Sequence, residues 1–245
     1  MVKVSVIIPV YNGANCVAKS IQSVLEQTYK DFEIVCINDG SSDNTAEVLK
    51  SFGNKIRIVD NGLNKGIGAT RNVGIRKAKG EYLTYLSADD EFHPDFLAES
   101  MKAIEERPGC VTYADYVISQ GGKLTVLSLP EFPDYNEMVM RAWISAELDS
   151  MFVCYSSMIF PTKLLKELPF IDELRYGEDL DHWLRLIIFK RPDLYHIRKP
   201  LMKYNIAELP NVTKARFYEL SRNNDLIRYK ILNELEVIRD GKSIS

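Results

Sequence analysis

The chain has 245 residues, 46% hydrophobic and 27% charged, a balance that allows one globular unit with a sizeable core and excludes disorder over most of its length. Its 31 basic and 34 acidic residues leave a net charge of −3, so no global field draws nucleic acid or an anionic membrane, and any anionic ligand must be bound locally. Four scattered cysteines, Cys16, Cys36, Cys110 and Cys154, make no CxxC pair, which argues against a zinc site or a disulfide framework and for a reducing cytoplasm.

Val4 to Val10, "VSVIIPV", is an apolar, β-rich run broken by Pro9 and followed by "YNG". It is too short to span a bilayer and lacks the layout of a signal peptide. Ala14 to Gln27 carries Val17, Ile21, Val24 and Leu25 at helical spacing, and "FEIVCIN" (32–38) returns to a buried-strand pattern, completing a βαβ unit. A loop "DGSSDN" leads to a helix through Leu49, a strand "IRIVD" (56–60), a glycine-bounded helix to Ala78 and a strand "EYLTYLS" (81–87). Four strands alternating with three helices predict a mostly parallel α/β sheet covered on both faces.

The second half is less regular. The pattern predicts a helix from Phe96 to Glu105, a strand near Val111 to Val117, a Pro-punctuated stretch from Leu127 to Asp134, a strand "SSMIF" (156–160) and a helix beginning at Pro161. A helix "LDHWLRLIIF" (180–189) follows, then strands near "LYHI" and "MKYNI". One domain to about residue 210 is expected, with a helical extension over 211–245. On that extension Ile227, Ile231, Leu235 and Ile238 share a face, beside Arg222, Arg228, Lys230 and Arg239. Such a helix packs on its own domain, or rests on a membrane surface or a partner. The sequon at Asn211 is read as accidental.

In a parallel sheet, ligands sit beyond the carboxyl ends of the strands, so the residues that follow each strand carry the information. Here these are "PVYNG", "NDGSSD", "NGLNKGIGATRN" and "SADD". Together they offer an aromatic face at Tyr11, a carboxylate at Asp39, flexible glycines, Arg71, and the pair Asp89 and Asp90. A ring can stack on a base, and a carboxylate can accept from a base imide or a ribose hydroxyl. A hard divalent ion on one or two carboxylates can neutralise a diphosphate. Each feature also has a plainer reading: Tyr11 as core, Asp39 with Ser41 and Ser42 as turn chemistry, Arg71 as a surface helix residue, the aspartates as a solvated turn or helix cap. Their convergence on one edge favours a nucleoside diphosphate site.

The stretch from "VSVIIPVYNG" to "INDGSSDNT", followed by "NKGIGATRNVGIRKAKGEYLTYLSADD", resembles the nucleotide-sugar half of the family 2 glycosyltransferases, which have the GT-A fold. The likeness is dense over residues 3–95 and resumes at "YGEDLDHWLRL" (176–186), similar to the family's acidic motif before a helix. It implies a Rossmann-like domain with a donor half (1–95) and an acceptor-facing half (96–210). It places Pro9, Tyr11, Asp39, Arg71 and Ala88 at the nucleotide, Asp89 on a Mn²⁺ or Mg²⁺ ion, and Asp179 as general base, with Glu178 its nearest rival. The implied reaction moves a sugar, with inversion, from a nucleotide diphosphate donor, usually a UDP-sugar, to a hydroxyl of a glycan or lipid-linked acceptor. Polysaccharide biosynthesis at the inner face of the membrane is the setting the family implies.

Two positions depart from the family. Asn38 stands at the first position of its "DDGS", where an amide can still bond ribose or base, and Ser87 stands at the first position of its DxD, which removes a charge from the metal edge. A binder of sugar nucleotide or glycan without turnover is the competing non-enzymatic reading. "GLNKGIG" (62–68) with Tyr195 and Lys199 also matches the short-chain dehydrogenase spacings. Two βα units precede those glycines, however, and "RPDLYHIRKP" is pinched between prolines where a helix would be needed. A nucleotidyltransferase would want a basic phosphate loop after the first strand, which "PVYNGAN" lacks. Of the remaining residues, Cys36, Trp143 and Trp183 read as packing, His93 as a loop or cap residue, and His182 as a partly exposed helix residue with a minor claim on the acceptor.

Overall fold

The computed structural model describes residues 2–129, 154–174 and 177–206. The first half follows the expected alternation: β1 (Val4–Val10), α1 (Val17–Leu25), β2 (Phe32–Asn38), α2 (Thr45–Ser51), β3 (Arg57–Asp60), α3 (Ile67–Lys77) and β4 (Tyr82–Tyr85). It continues with β5 (Glu91–Phe92), α4 (Phe96–Glu106), β6 (Val111–Gln120), β7 (Lys123–Leu127), β8 (Met158–Pro161), α5 (Thr162–Glu167), α6 (Glu178–Arg185) and β9 (Leu194–Ile206). A π-helical turn, Leu186–Lys190, prolongs α6.

Among the described residues the sheet runs β3-β2-β1-β4-β8-β6-β9-β5, with β7 paired to β6. β3, β2, β1 and β4 are parallel, while β8 lies antiparallel between β4 and β6. All seven residues of β1 are buried, as a central strand covered on both faces requires. Helix α3 crosses β1 and β2 closely. A Cβ on Gly74 would lie 2.4 Å from Ile7 Cγ2 and 3.2 Å from Ile37 Cδ1, so only glycine permits this approach.

The sequence pattern predicts two strands near "LYHI" and "MKYNI", whereas β9 is a single strand of 13 residues. Pro200 has no N–H to give the ladder, and the pairing with β6 slips on either side of it, between Ala114 and Asp115 and between Asp115 and Tyr116. The bulges let one strand absorb the proline that suggests two. Tyr195 and Lys199 of the dehydrogenase spacing lie on this strand and reach outward to Glu106 and Glu99 of α4, at 3.0 and 2.6 Å. They belong to the surface of the sheet, far from the glycines in topology.

The extension over 211–245, Trp143, and the part of 127–134 beyond Leu129 lie outside the described residues. No helix among the described residues is long and apolar enough to cross a membrane.

Candidate active site

The strand tips form a tied surface. Two loops are zipped together after β1 and β2: Asn12 N–H donates to Ser41 Oγ at 3.0 Å, Gly13 N–H to Thr45 Oγ1 at 2.9 Å, Ala14 N–H to Asp43 Oδ2 at 3.1 Å, and Ser42 N–H to Asn12 Oδ1 at 2.8 Å. The short polar residues of "YNG" and "SSDNT" therefore hold the loops for whatever binds above them. Tyr11 projects from this surface 52% exposed, and Pro9, two residues earlier in β1, is buried.

Asp39 is buried, with Oδ1 accepting from Asn61 Nδ2 at 2.8 Å and from Lys65 N–H at 3.0 Å, and Oδ2 from Gly66 N–H at 3.1 Å. It thereby fixes the loop that starts α3. Gly40, at φ +71°, lies so close to that loop that a Cβ would sit 2.6 Å from the Leu63 carbonyl carbon. Asn38 corrects a reading from sequence. Its Nδ2 donates to Asp60 Oδ2 at 3.2 Å, its Oδ1 accepts from Ser41 N–H at 3.1 Å, and it is buried, so the amide is spent inside the protein and not free for a ligand. Asp60 is its paired neighbour on β3. A carboxylate at position 38 would face a second one, and the amide avoids that repulsion.

The two aspartates after β4 part company. The loop backbone is pinned by Ser20 Oγ donating to the Ala88 carbonyl at 2.7 Å and by Asn205 Nδ2 donating to the Asp89 carbonyl at 2.7 Å. Asp90 turns inward, accepts from Asn205 N–H at 3.0 Å, and is 1% exposed. Burial pushes its carboxyl up to about 7, against the Asn205 N–H. Asp89 faces out. Ser87 N–H donates to Ser156 Oγ at 3.3 Å, a partner the sequence does not announce. No three His, Cys, Asp or Glu gather into a cage among the described residues. One exposed carboxylate nevertheless fits a divalent ion of the Mg²⁺ or Mn²⁺ kind, which takes one or two protein carboxylates and completes its shell with phosphate and water.

Helix α6 brings a second pair of acids, Glu178 and Asp179. Gly177, left-handed at φ 74°, precedes its first residue, so Asp179 is the second residue of the helix and not its cap. Asp179 is partly exposed, with Oδ1 accepting its neighbour Leu180 N–H at 2.8 Å. Glu178 is buried, and its Oε1 accepts from Arg71 Nη1 at 2.7 Å. Burial, and after it the Asp179 charge, raise the Glu178 carboxyl, while Arg71 opposes. Arg71 is thus a buried residue of α3, not one of its surface. Tyr204 of β9 marks the convergence of the acids. Its hydroxyl is pushed up to about 12, first by burial and then by Asp90, with Cys154, Asp89 and Asp179 adding smaller amounts.

His182 is wholly buried, which corrects the expectation of a partly exposed residue. Its Nε2–H must donate to the Leu168 carbonyl at 2.7 Å, which leaves Nδ1 to accept from Tyr155 O–H at 2.5 Å. Its ring stacks on Phe170 at 4.1 Å between centroids. Burial is the main reason its pKa is lowered to about 3; the bond to Leu168 opposes, and Arg185 and Arg71 lower it further. Above the free value near 6.5 both folded and unfolded chains hold it neutral. Below, only the unfolded chain takes the proton. Between pH 7 and pH 5 the wild type should therefore lose about 2 kcal/mol of stability relative to His182→Gln, whose amide can serve the same two partners. Denaturant melts of both proteins at the two pH values check this, and a gap that does not change with pH would refute it.

Residues 5–168 match the model of glycosyl transferase family 2. The chain belongs to that family. It is 30% identical over 228 residues to the uncharacterised glycosyltransferase RP339 of Rickettsia prowazekii, covering 91% of this chain and 70% of that relative. It is 26% identical over 234 residues to an Escherichia coli protein, WfgD, named a UDP-Glc:alpha-D-GlcNAc-diphosphoundecaprenol beta-1,3-glucosyltransferase, covering 95% of this chain and 88% of that one. The structure of S. aureus TarS 1–349 in complex with UDP-GlcNAc superposes with a TM-score of 0.72 at 22% identity, over 92% of this chain and 66% of that one. The last likeness establishes the GT-A arrangement, a central, mostly parallel sheet flanked by helices. This family 2 glycosyltransferase therefore has the fold its sequence implies.

Proposed function

We propose that the enzyme moves a sugar from a UDP-sugar to a hydroxyl of a glycan or lipid-linked acceptor by direct displacement, with inversion at the anomeric carbon. The observation that carries this reading is the exposure of one carboxylate from each half at the same edge. Asp89 follows β4, and Asp179 is the second residue of α6, whose first residue, Glu178, is tied to Arg71 of α3 at 2.7 Å. The UDP-GlcNAc complex of the TarS neighbour and the lipid-diphosphate acceptor in the name of the Escherichia coli relative support the choice of donor and acceptor class.

In this reading Tyr11 offers its exposed ring to the base, Pro9 ends the buried strand before it, and Asp39, whose oxygens already accept from Asn61, Lys65 and Gly66, holds the loop under the nucleotide and keeps one acceptor direction for base or ribose. Ala88 lends its place in the pinned loop, which keeps the floor under the diphosphate fixed. Asp89 would hold a divalent ion that, when bound, supplies positive charge for the leaving diphosphate. Asp179 takes the proton of the acceptor hydroxyl as its oxygen forms the new bond to the anomeric carbon and the bond to the diphosphate oxygen breaks. The donor thus leaves as UDP, and the proton rests on the Asp179 carboxylate.

A panel of nucleotide sugars tests the reading without an acceptor, because water can replace the hydroxyl in a slow hydrolysis. Release of UDP from one UDP-sugar, dependent on Mn²⁺ or Mg²⁺, is the expected result. UDP with either ion should also raise the melting temperature while a nicotinamide dinucleotide does not, since a ligand of the native state alone stabilises it by mass action. A protein that binds UDP but never releases it from any donor would be a binder without turnover.

A further inference from the structure

The guanidinium of Arg71 is enclosed. Nη1 is committed to Glu178 at 2.7 Å, and the side chains of the pair are only 10% and 9% exposed. Its central carbon lies 5.3 Å from the ring centre of Phe170, 5.5 Å from Tyr155 and 5.6 Å from Tyr85. Its Nε is buried with no hydrogen-bond partner, as happens where a guanidinium rests on ring faces. A cation so placed presents little to a nucleotide. It does bind α3, which follows the donor loop of Lys65 and Gly66, to the first residue of α6, and the second residue of α6 is Asp179.

The cage is itself held from behind. Three consecutive carbonyls between α5 and α6 are each taken by a side chain: Leu168 by His182, Pro169 by Arg185 at 3.0 Å, and Phe170 by Asn72 of α3 at 2.8 Å. Asn72 Oδ1 accepts in turn from Phe170 N–H at 2.9 Å. Arg185 also pairs with Asp181 at 2.7 Å inside the helix. Neighbouring residues Arg71 and Asn72 thus clamp both the helix that bears Asp179 and the chain segment leading toward it. A buried pair of this sort contributes little net stability compared with apolar packing, yet it fixes one geometry and punishes loss of either partner.

We propose that Arg71, through Glu178, is a positioning residue that sets Asp179 against the donor, and that it acts on transfer and not on nucleotide affinity. This rests on the reading of Asp179 as the base. The pair locks the first turn of α6 to α3, so whatever orders the donor loop orders the base as well. It also sets a cation beside Glu178, which opposes the rise that burial and the Asp179 charge impose on that carboxyl and keeps its Oε1 bonded inside the protein.

The test uses UDP as the probe of the nucleotide site and hydrolysis of the UDP-sugar found in the donor panel as the probe of turnover. The variants are Arg71→Met, Arg71→Lys, Glu178→Gln and Asp179→Asn. Arg71→Met and Glu178→Gln should each lower kcat by 10-fold or more while the UDP Kd and the donor KM stay within about threefold of wild type. Arg71→Lys, which keeps a cation within reach of Glu178, should recover a large part of kcat. If Arg71→Met does not fold, Glu178→Gln and Arg71→Lys decide the matter. A tenfold loss of UDP affinity in either Arg71 variant would make Arg71 a nucleotide contact and overturn the proposal. So would wild-type kcat in Glu178→Gln and Arg71→Met while Asp179→Asn is crippled, an outcome that leaves the base assignment standing. Wild-type turnover by Asp179→Asn would instead remove the base assignment on which the inference stands.

Discussion

Asp179→Asn should lower sugar transfer by roughly 10²–10⁴-fold, the range expected when a positioned general base is removed, and should leave UDP binding unchanged. The substitution is mild for the fold. Asp179 is the second residue of α6 and its Oδ1 accepts the Leu180 N–H, a bond that the amide oxygen of asparagine can also accept. What is lost structurally is one negative charge in the first turn of the helix, with Glu178 and Asp181 still present there. Such a charge contributes about 0.3–1 kcal/mol near a helix N-terminus. A small drop in melting temperature with a collapse of transfer is therefore the signature of a base, and a small drop with normal transfer would end that assignment. Glu178→Gln should show the opposite balance, with more lost in stability and less in rate. Glu178 is buried against Arg71, and the amide would leave that cation without its counter-charge.

The sequence reveals some parts of this molecule far better than others, and the difference has physical causes. The strands and helices of the first half are legible because each is a short apolar run with one period, ended by a polar tip that cannot enter the core. The central strands β1 and β2 have the predicted bounds, Val4–Val10 and Phe32–Asn38. The positions of Tyr11, Asp39 and Asp89 at strand ends follow from the same logic, because topology alone brings those ends together. Their chemical roles do not follow from it, and they come from the resemblance.

Side-chain pairings across distant segments are illegible from one sequence. Nothing in "GATRNVG" announces that Arg71 will meet Glu178, 107 residues later, or that Asn72 will hold Phe170. Arg71 is one of three basic residues in that helix, with Arg76 and Lys77, and reads equally well as part of a solvated face. His182 misled for a related reason. A helix that reads Asp, His, Trp, Leu, Arg looks half polar, but His182 is bonded internally to Tyr155 and Leu168, and Arg185 to Asp181 and Pro169. Polar composition predicts exposure only where no buried partner is available.

Asp89→Ala carries the second large effect. Transfer should fall by about 10²-fold or more, because a divalent ion at the leaving diphosphate supplies several kcal/mol of charge stabilisation and each 1.36 kcal/mol is tenfold in rate. In melting experiments the variant should keep the shift produced by UDP alone and lose the increment added by Mn²⁺ or Mg²⁺. Asp90 is the necessary control, since it lies next in sequence and carries the same charge. The two differ in where they point: Asp89 is exposed, whereas Asp90 is 1% exposed and receives the Asn205 N–H at 3.0 Å. Asp90→Asn preserves an acceptor for that N–H, so it should retain both the ion dependence and most of the activity. The effects of charge at this edge should also respond to Ser87→Asp, which restores a second carboxylate beside Asp89 and should tighten ion binding most at low ionic strength. If Asp90→Asn abolishes the ion's increment while Asp89→Ala keeps it, the ligand is the inward carboxylate. The loop pinned by Ser20 and Asn205 would then have to open for the ion to enter.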